Sequence, residues 1–517
     1  MAKLNLSHFC ACLLGALTVL GFAPFYLFPV SILSVIGLCY LWFKAASPRA
    51  AWMLGFSYGL GLYIVGIYWI YIALHTFGGM PWWFAGFCTF CLCAFMALFV
   101  GLVGYFAKHF GFMLITIPVL WGLSDWVRSW IFTGFPWLTL GYSQVPHSPL
   151  AGFMPIVGVY GVSVMTAFLA ALIAAWFVTS QSVIWKRNAI AAVTLLLVSG
   201  FVLKAVEWTS PIGKPISVSL IQGNIAQDEK WSPEAAQSTI TQYLSMTQAS
   251  DADLIVLPET ALPVIASQIN PAITNVLNAH ALKNKGGIIV GMVEQNENPT
   301  KNIAAGNTSS EYFNSAIGFS SATGFGYSRS IADANLQAYR KNHLVPFGEF
   351  IPLKQIFGWI YRDWLNIPLS DLSRGGNTQS SMNLAGQKIA VNICYEDVFG
   401  EEIMRNAKNS TLLVNISNDA WYGHSIAAYQ HMQFSQARAI ENGRMMLRAT
   451  NTGATAAIDT HGFVLAHAPH DVKTTLNVSA QGYTGSTPYM RWGNWPFIVF
   501  CLGAIGFVYF KRLTTKS

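Results

Sequence analysis

The sequence predicts an α/β domain carried by a base of transmembrane helices. Hydrophobic residues make up 53% of the 517 residues and charged residues only 10%, whereas soluble domains carry about 25% charged residues. Apolar runs long enough to cross a bilayer fill the first 210 residues and recur near the C-terminus. Between them, residues 211–485 hold most of the acidic residues. We therefore expect a helical membrane domain over 1–210, an α/β domain over 211–485, and a final helix with a tail over 486–517.

The apolar runs set the expected number of membrane spans. A run of about 18 apolar residues is typical of a transmembrane helix, and such runs lie near 8–23, 25–43, 51–75, 82–107, 111–132, 149–178, 186–206 and 491–510. The first two are separated only by the segment from Gly21 to Phe25, whose glycine and proline favour a turn over one long helix. The sequence thus predicts seven helices before the polar region and one after it.

Basic residues predict the orientation of these spans. If the spans alternate, Lys44, Lys108 and Lys186 fall on the side that also holds both termini, while the other side has little beyond Arg128. Because cytoplasmic loops are rich in lysine and arginine, both termini are expected in the cytoplasm. An odd number of preceding spans then puts residues 211–485 on the outer face of the membrane. The first run lacks a convincing cleavage site and is expected to be retained.

The polar region alternates strands and helices. Short apolar runs predict strands near 216–221, 254–257, 287–291, 389–394 and 412–416. Helical patterns cover about 233–249, 270–284 and 426–443. Such alternation favours layered α/β packing with chemistry at the strand ends.

Three segments of the polar region carry reactive side chains. Glu259 directly follows a predicted strand, Lys341 lies in the segment 339–349, and Cys394 ends a further predicted strand. Cys394 is the single cysteine of this region, since the other seven lie in apolar runs. It is therefore either a nucleophile or an inert buried thiol. A nucleophilic thiol needs a base and a nearby cation, which Glu259 and Lys341 can supply.

In these local contexts and this order, the three residues resemble the nitrilase (carbon–nitrogen hydrolase) superfamily. Together with the membrane part, essentially the whole chain is similar to the apolipoprotein N-acyltransferase family. The resemblance implies an αββα sandwich with a Glu259–Lys341–Cys394 triad. It also implies that Glu349 is a second essential acid and that Trp231 is a functional aromatic residue on a mobile arm.

Other residues near the motifs have expected roles of lower specificity. The N–H of Tyr395, directly after the nucleophile, is expected to help Lys341 stabilise an oxyanion. Glu396 is either a structural salt-bridge partner or a substrate contact. Asn418 and Trp421 are expected to shape an acyl pocket. The aromatic segment 355–369 is expected to be a lid that enters the outer leaflet, with an ordinary core segment as the alternative.

The sequence contains no pattern typical of a metal or nucleotide site. His424 and His431 do not have metal-ligand spacing, and no glycine-rich phosphate loop occurs. No cofactor, no metal and no nucleic acid partner are expected, and a monomer is sufficient.

The resemblance implies acyl transfer at the periplasmic face of a bacterial inner membrane. A phospholipid, most simply phosphatidylethanolamine, would acylate Cys394, and the thioester would acylate the N-terminal S-diacylglyceryl-cysteine of an apolipoprotein. This is the last step of lipoprotein maturation. One alternative is a membrane-anchored amidase whose thioester is resolved by water. Another is a transporter or lipid-binding scaffold, although the spans hold no obvious charge pair beyond Asp125 and Arg128.

Overall fold

A computed structural model describes residues 2–178, 182–227, 232–297, 310–320, 337–352 and 371–514. The chain divides into two compact units. A helical unit comprises Met1–Tyr71, Pro81–Trp208 and Thr487–Ser517, and an α/β unit comprises Ile72–Met80 and Thr209–Ser486. The short segment Ile72–Met80 therefore groups with the α/β unit, although the sequence analysis assigned it to the membrane domain.

Each predicted apolar run forms a helix. These are α1 (Ala2–Thr18), α2 (Phe28–Lys44), α3 (Pro48–Gly66), α4 (Trp69–Ile72), α5 (Trp82–Phe110), α6 (Met113–Arg128), α7 (Met154–Val178), α8 (Val183–Lys204), α13 (Pro488–Trp492) and α14 (Trp495–Thr514). The run 51–75, expected as one span, is bent by 50° between α3 and the helical segment Trp69–Phe77, which begins with α4. Gly66 ends α3 where it packs tightly, because a Cβ there would lie 2.3 Å from Leu138 Cδ1.

Only some of these helices are long and apolar enough to cross a membrane completely. Among the described residues, Trp82–Phe110, Pro149–Val178, Val183–Lys204 and Trp495–Thr514 are long and apolar enough, and the bent pair makes a fifth candidate. Leu6–Gly21 and Phe28–Lys44 are apolar but shorter. The 16-residue α6 is also shorter than the roughly 20 residues that cross a bilayer. The helical base is thus confirmed, whereas the total of eight spans stays a prediction.

Small residues and one ion pair hold the helical unit together. A Cβ at Gly15 would lie 1.9 Å from the carbonyl oxygen of Tyr58, so α1 and α3 approach backbone to backbone. Buried Arg128 binds Asp125 at 2.5 Å and donates to the carbonyl of Trp137 at 3.0 Å. These charges hold the backbone that follows α6. The pair Asp125–Arg128 therefore has a structural explanation, and a transport pathway is not needed to account for it.

The α/β unit is a four-layer sandwich. Its described strands are β1 (Thr209–Gln222), β2 (Leu254–Val256), β3 (Gly287–Glu297), β4 (Ser310–Ser320), β5 (Gln337–Arg340), β6 (Met382–Leu384), β7 (Gln387–Ile393), β8 (Leu412–Ser417), β9 (Met446–Thr450), β10 (Ala456–Ile458), β11 (Val464–His467) and β12 (Thr474–Gly485). They form two six-stranded sheets in the orders β12-β1-β2-β3-β4-β5 and β11-β10-β9-β8-β7-β6. Alternate strand residues of both sheets meet in one core, which includes Leu220, Val256, Val391 and Val414.

Helices cover the outer faces of this sandwich. The helices are α9 (Pro233–Gln248), α10 (Pro271–Lys283), α11 (Gly400–Ala407) and α12 (Ala427–Asn442). Ile240 of α9 and Leu277 of α10 pack on the outward residues of β2 and β3, while α11 contacts β7 and α12 contacts β9. The predicted αββα architecture is confirmed. In the centre of each sheet, β1–β2–β3 and β7–β8–β9 run parallel, so the reactive residues that follow β2 and β7 lie at carboxyl ends of parallel strands.

Candidate active site

Cys394 occupies a strained turn at the end of β7. It begins a 3₁₀ turn, Cys394–Val398, and its φ of +53° is in the left-handed region. A non-glycine residue in that region costs about 1–2 kcal/mol, and such strain in a well-packed structure is typical of functional sites. The thiol is buried, and the strained residue directly follows a strand whose last five residues are buried. This geometry favours the nucleophile over the inert thiol.

Donors from separate segments of the chain hold the side chain of Glu259. The N–H of Asn418 donates to Oε2 at 3.0 Å, while Asn314 Nδ2 and Lys341 Nζ reach Oε1 at 2.6 and 3.3 Å. Glu259 is itself buried. Its carboxylate thus has a fixed direction, as a base that must receive a proton from a positioned group requires.

Lys341 lies between two carboxylates. It is 1% exposed, and its Nζ lies 2.8 Å from Glu349 Oε2 and 3.3 Å from Glu259 Oε1. Glu349 Oε2 also accepts the N–H of Val345 at 2.8 Å, and Asn314 Nδ2 donates to Glu349 Oε1 at 2.8 Å. Glu349 therefore orients Lys341 from the shorter of the two distances, and Glu259 lies at the longer one.

The charges of this cluster act on the thiol. Burial, and then the negative charge of Glu259, raise the pKa of Cys394 well above its usual value, while Lys341 opposes them. Burial alone would lower the pKa of Lys341, but Glu259 and Glu349 outweigh it and hold that pKa well above the ordinary value. In the resting cluster the thiol of Cys394 is therefore neutral and the side chain of Lys341 is a charged ammonium. A neutral thiol is a weak nucleophile, so a reaction at Cys394 would first require loss of the thiol proton.

Glu396 connects the two segments that carry Cys394 and Lys341. Its carboxylate accepts hydrogen bonds from the N–H groups of Ile393 (2.7 Å), Asn342 (2.7 Å) and His343 (3.1 Å) and from the hydroxyl of Tyr339 (3.0 Å). Burial raises the pKa of Glu396 to about 7, against the effect of these N–H donors. These contacts give Glu396 a structural part, because they join the turn that carries Cys394 to the segment that carries Lys341; its part as a substrate contact stays a prediction.

The remaining predicted residues are only partly accounted for. Tyr395 is buried and packs edge-on against Phe399. Asn418 orients Glu259, and its Nδ2 donates to Gln227 Oε1 at 2.6 Å. The Trp421 ring lies 6.3 Å from that of Phe77, and its part in an acyl pocket stays a prediction. Trp231 and the segment 355–369 lie outside the described residues.

Sequence reasoning missed two groups of residues. Asn314, in the middle of β4, donates from its amide to both Glu259 and Glu349. The sequence marks Asn314 only weakly, because it is one amide residue in a strand that contains both polar and apolar residues. The second group consists of buried charges behind Cys394, namely Asp397, Asp419, His431 and Arg448. The described residues contain no cluster of histidine, cysteine and carboxylate groups that could hold a metal ion.

Two family profiles match the chain. The apolipoprotein N-acyltransferase N-terminal domain matches residues 14–172, and the carbon–nitrogen hydrolase domain matches residues 217–489. An amidase structure from Nesterenkonia sp. covers 54% of this chain and 94% of its own, with 14% identity and a TM-score of 0.34.

Relatives match over nearly the full length. The apolipoprotein N-acyltransferase of Nitrosomonas europaea is 45% identical over 93% of this chain and 92% of its own. That of Chromobacterium violaceum is 39% identical over 95% and 91%, and that of Neisseria meningitidis serogroup A is 39% identical over 97% and 96%. The chain therefore belongs to the apolipoprotein N-acyltransferase family, and it joins the N-terminal domain of that family to a carbon–nitrogen hydrolase domain.

Proposed function

We propose that the chain transfers a fatty acyl group in two steps through a thioester on Cys394. In the first step the thiol attacks an ester carbonyl of a phospholipid, at the sn-1 chain of phosphatidylethanolamine. Glu259 accepts the thiol proton as the S–C bond forms. The tetrahedral oxyanion is stabilised by Lys341 and the N–H of Tyr395. When the C–O bond breaks, Glu259 returns the proton to the glycerol oxygen, and the lysophospholipid leaves.

In the second step an amine resolves the thioester. The α-amino group of the N-terminal S-diacylglyceryl-cysteine of an apolipoprotein attacks the acyl carbon, and Glu259 takes the amine proton. The C–S bond breaks, an amide is released, and the proton returns to the thiolate of Cys394. Because the donor product leaves before the acceptor reacts, the kinetics are ping-pong.

The observation that carries this proposal is the buried cluster of Glu259, Lys341 and Glu349 around Cys394. Burial and the charge of Glu259 keep the thiol protonated, so the cluster supports proton transfer concerted with attack. Glu349 holds Lys341 at 2.8 Å, and this fixes the ammonium as an electrostatic donor. All these groups belong to one chain, which supports action as a monomer.

The proposed location is the bacterial inner membrane, with the α/β unit on the periplasmic face. Both substrates are lipid-anchored, and the apolar helices keep the enzyme in the same bilayer. The lysine and arginine residues that flank the helices support cytoplasmic termini. A C-terminal fluorescent-protein fusion should therefore be fluorescent, while a C-terminal alkaline phosphatase fusion should be inactive. The opposite pair of results would reverse the orientation.

Reconstituted protein tests the reaction. Proteoliposomes that contain phosphatidylethanolamine and an S-diacylglyceryl lipopeptide should yield N-acylated lipopeptide and lysophospholipid in equal amounts. Cys394→Ala should form neither product, whereas the control Cys501→Ala, at a buried cysteine of α14, should form both. Retained N-acylation by Cys394→Ala would refute the proposal. Free fatty acid without an N-acylated product would indicate the amidase alternative.

A further inference from the structure

Four ionisable side chains lie buried behind the nucleophile, and the mechanism above uses none of them. Asp397, Asp419, His431 and Arg448 are each at most 2% exposed. They come from the turn after β7, the turn after β8, helix α12 and strand β9. Burying charges in this way is expensive unless they are paired and hydrogen-bonded. A cluster of this cost directly behind Cys394 calls for an explanation.

The two acids and the two bases form a closed ring of contacts. Arg448 Nη1 lies 2.9 Å from Asp397 Oδ2, and Arg448 Nη2 lies 3.2 Å from Asp419 Oδ2. His431 completes the ring, with Nε2 at 3.0 Å from Asp397 Oδ1 and Nδ1 at 2.8 Å from Asp419 Oδ1. Two negative and two positive charges balance only if the imidazole is protonated.

The charge state of His431 follows from these contacts. Burial and then Arg448 lower its pKa, but Asp397 and Asp419 outweigh them and raise the pKa to about 9. Arg448 Nη2 also lies 2.7 Å from Nδ1. Whether Nδ1 pairs with Asp419 or with Arg448, Nε2 faces oxygen acceptors and therefore carries a hydrogen.

The Nε2 hydrogen of His431 also reaches the nucleophile's main chain. Nε2 lies 3.0 Å from the carbonyl oxygen of Cys394, and Asn415 Nδ2 donates to the same oxygen at 3.2 Å. That carbonyl belongs to the peptide group whose other end is the N–H of Tyr395. In a trans peptide the C=O and N–H point in opposite directions. Two buried donors that fix the carbonyl therefore also fix the direction of this N–H.

The same contact affects the strength of the N–H as a donor. Hydrogen bonds in a chain polarise one another, and a bond from a charged donor does so most strongly. A peptide whose carbonyl accepts from an imidazolium has a more positive N–H. The contact also supports the left-handed backbone of Cys394, because that strained conformation persists only where surrounding contacts enforce it.

We propose that His431 is a positioning residue, which acts through the Cys394–Tyr395 peptide to aim and polarise the oxyanion-binding N–H. This inference rests on the proposed function, because it assumes an oxyanion at that position. Asp397 and Asp419 keep the imidazole charged, and Arg448 pairs with both carboxylates and holds them in place. Asn415 is the second donor to the same carbonyl.

The test compares two reactions of the same thiol. Acylation by an ester passes through a tetrahedral oxyanion, whereas alkylation by iodoacetamide is a direct displacement that forms none. His431→Gln should lower the single-turnover acylation rate about 10- to 100-fold, less than or comparable to the loss of a whole oxyanion donor. The alkylation rate of Cys394 should stay within about threefold of wild type, since the displacement does not use the oxyanion site.

Two donors separate this inference from the proposed function. Phosphatidylethanolamine tests both the proposed function and this inference, whereas p-nitrophenyl butyrate tests only the attack of Cys394 on an ester. If wild type reacts with the nitrophenyl ester but not with the phospholipid, the proposed function fails, and the comparison with His431→Gln still decides the inference. Equal losses of acylation and alkylation would indicate a merely structural role and overturn it. An unchanged acylation rate would overturn it as well.

Two further variants secure the result. His280 is a buried histidine of α10 whose Nε2 lies 2.8 Å from the carbonyl oxygen of Ser250, so His280→Gln is a matched control that should change neither rate. If His431→Gln does not fold, Asn415→Ser removes the other donor to the carbonyl of Cys394. This second variant should lower acylation about three- to tenfold at an unchanged alkylation rate, and an unchanged ratio of the two rates would overturn the proposal.

Discussion

Glu259→Gln should have opposite effects on the ionisation of Cys394 and on its acylation. Glutamine keeps the shape of the side chain but removes the negative charge and the base. Apart from burial, Glu259 is the strongest influence that raises the pKa of the Cys394 thiol. Without that charge the pKa of the thiol should fall. The thiol should thus ionise more readily while it loses its proton acceptor.

The structure gives the size of both effects. Loss of a general base typically costs 10²- to 10⁴-fold in rate, so acylation should fall by about that factor. Glu259 Oε1 accepts from Asn314 and Lys341, and Oε2 accepts from the N–H of Asn418. In Glu259→Gln, the amide nitrogen replaces one of these two oxygens, and at either position it would face a hydrogen-bond donor instead of an acceptor. This mismatch should cost about 1–3 kcal/mol of folding free energy, too little by itself to abolish the fold.

Two rates measured over a pH series check this prediction. The alkylation rate of Cys394 by iodoacetamide should reach half its maximum at a lower pH in Glu259→Gln than in wild type. Single-turnover acylation by phosphatidylethanolamine should fall 10²- to 10⁴-fold in the same variant. Glu294→Gln is the matched control, because Glu294 is a buried carboxylate paired with Arg340. Acylation within tenfold of wild type, or an alkylation midpoint at higher pH, would refute the reasoning.

Three further predictions follow from the same contacts. Lys341→Met should shift the alkylation midpoint of the thiol to higher pH, opposite to Glu259→Gln, and lower acylation at least about 100-fold, both measured as above. Asn314→Leu removes the amide that binds Glu259 and Glu349 and should destabilise the protein by about 3 kcal/mol. Asn314→Asp, which adds a third carboxylate, should have a lower melting temperature in detergent than Asn314→Leu. The folded-state pKa of His431 is about 9, above the ordinary value of 6.5, so protonation of His431 stabilises the folded state. This contribution to the free energy of unfolding is about 3 kcal/mol. It should be complete below pH 6.5 and lost as the pH rises through 9. A melting temperature that is as pH-dependent in His431→Gln as in wild type would contradict the last prediction.

The three candidate site residues could be selected from the sequence because each lies in a short local motif. Glu259 and Cys394 follow apolar strands directly, and the carboxyl ends of parallel strands are where polar side chains become available. Lys341 similarly follows the strand β5. The sandwich could be predicted from the alternation of strands and helices, together with the family resemblance. Both the site residues and the sandwich could therefore be predicted from residues that are close together in the sequence.

The contacts that orient these residues could not be predicted, because they join distant segments. Asn314 reaches Glu259 across 55 positions of the chain, and Arg448 reaches Asp397 across 51. His431 gave no metal-like spacing, and its real partners are carboxylates in two separate turns. The bend after Gly66 is another such case. Gly66 there packs against the distant side chain of Leu138, a contact that the hydropathy of the run 51–75 does not reveal.

The central claim is that Cys394 carries the acyl group between donor and acceptor. Wild-type protein should be incubated with phosphatidylethanolamine labelled in its sn-1 chain, without acceptor, then digested and mapped by mass spectrometry. The account predicts a labelled acyl thioester on Cys394, removed when an S-diacylglyceryl lipopeptide is added and recovered as the N-acyl product. Label on another residue, or N-acylated lipopeptide formed without a labelled Cys394 intermediate, would contradict it.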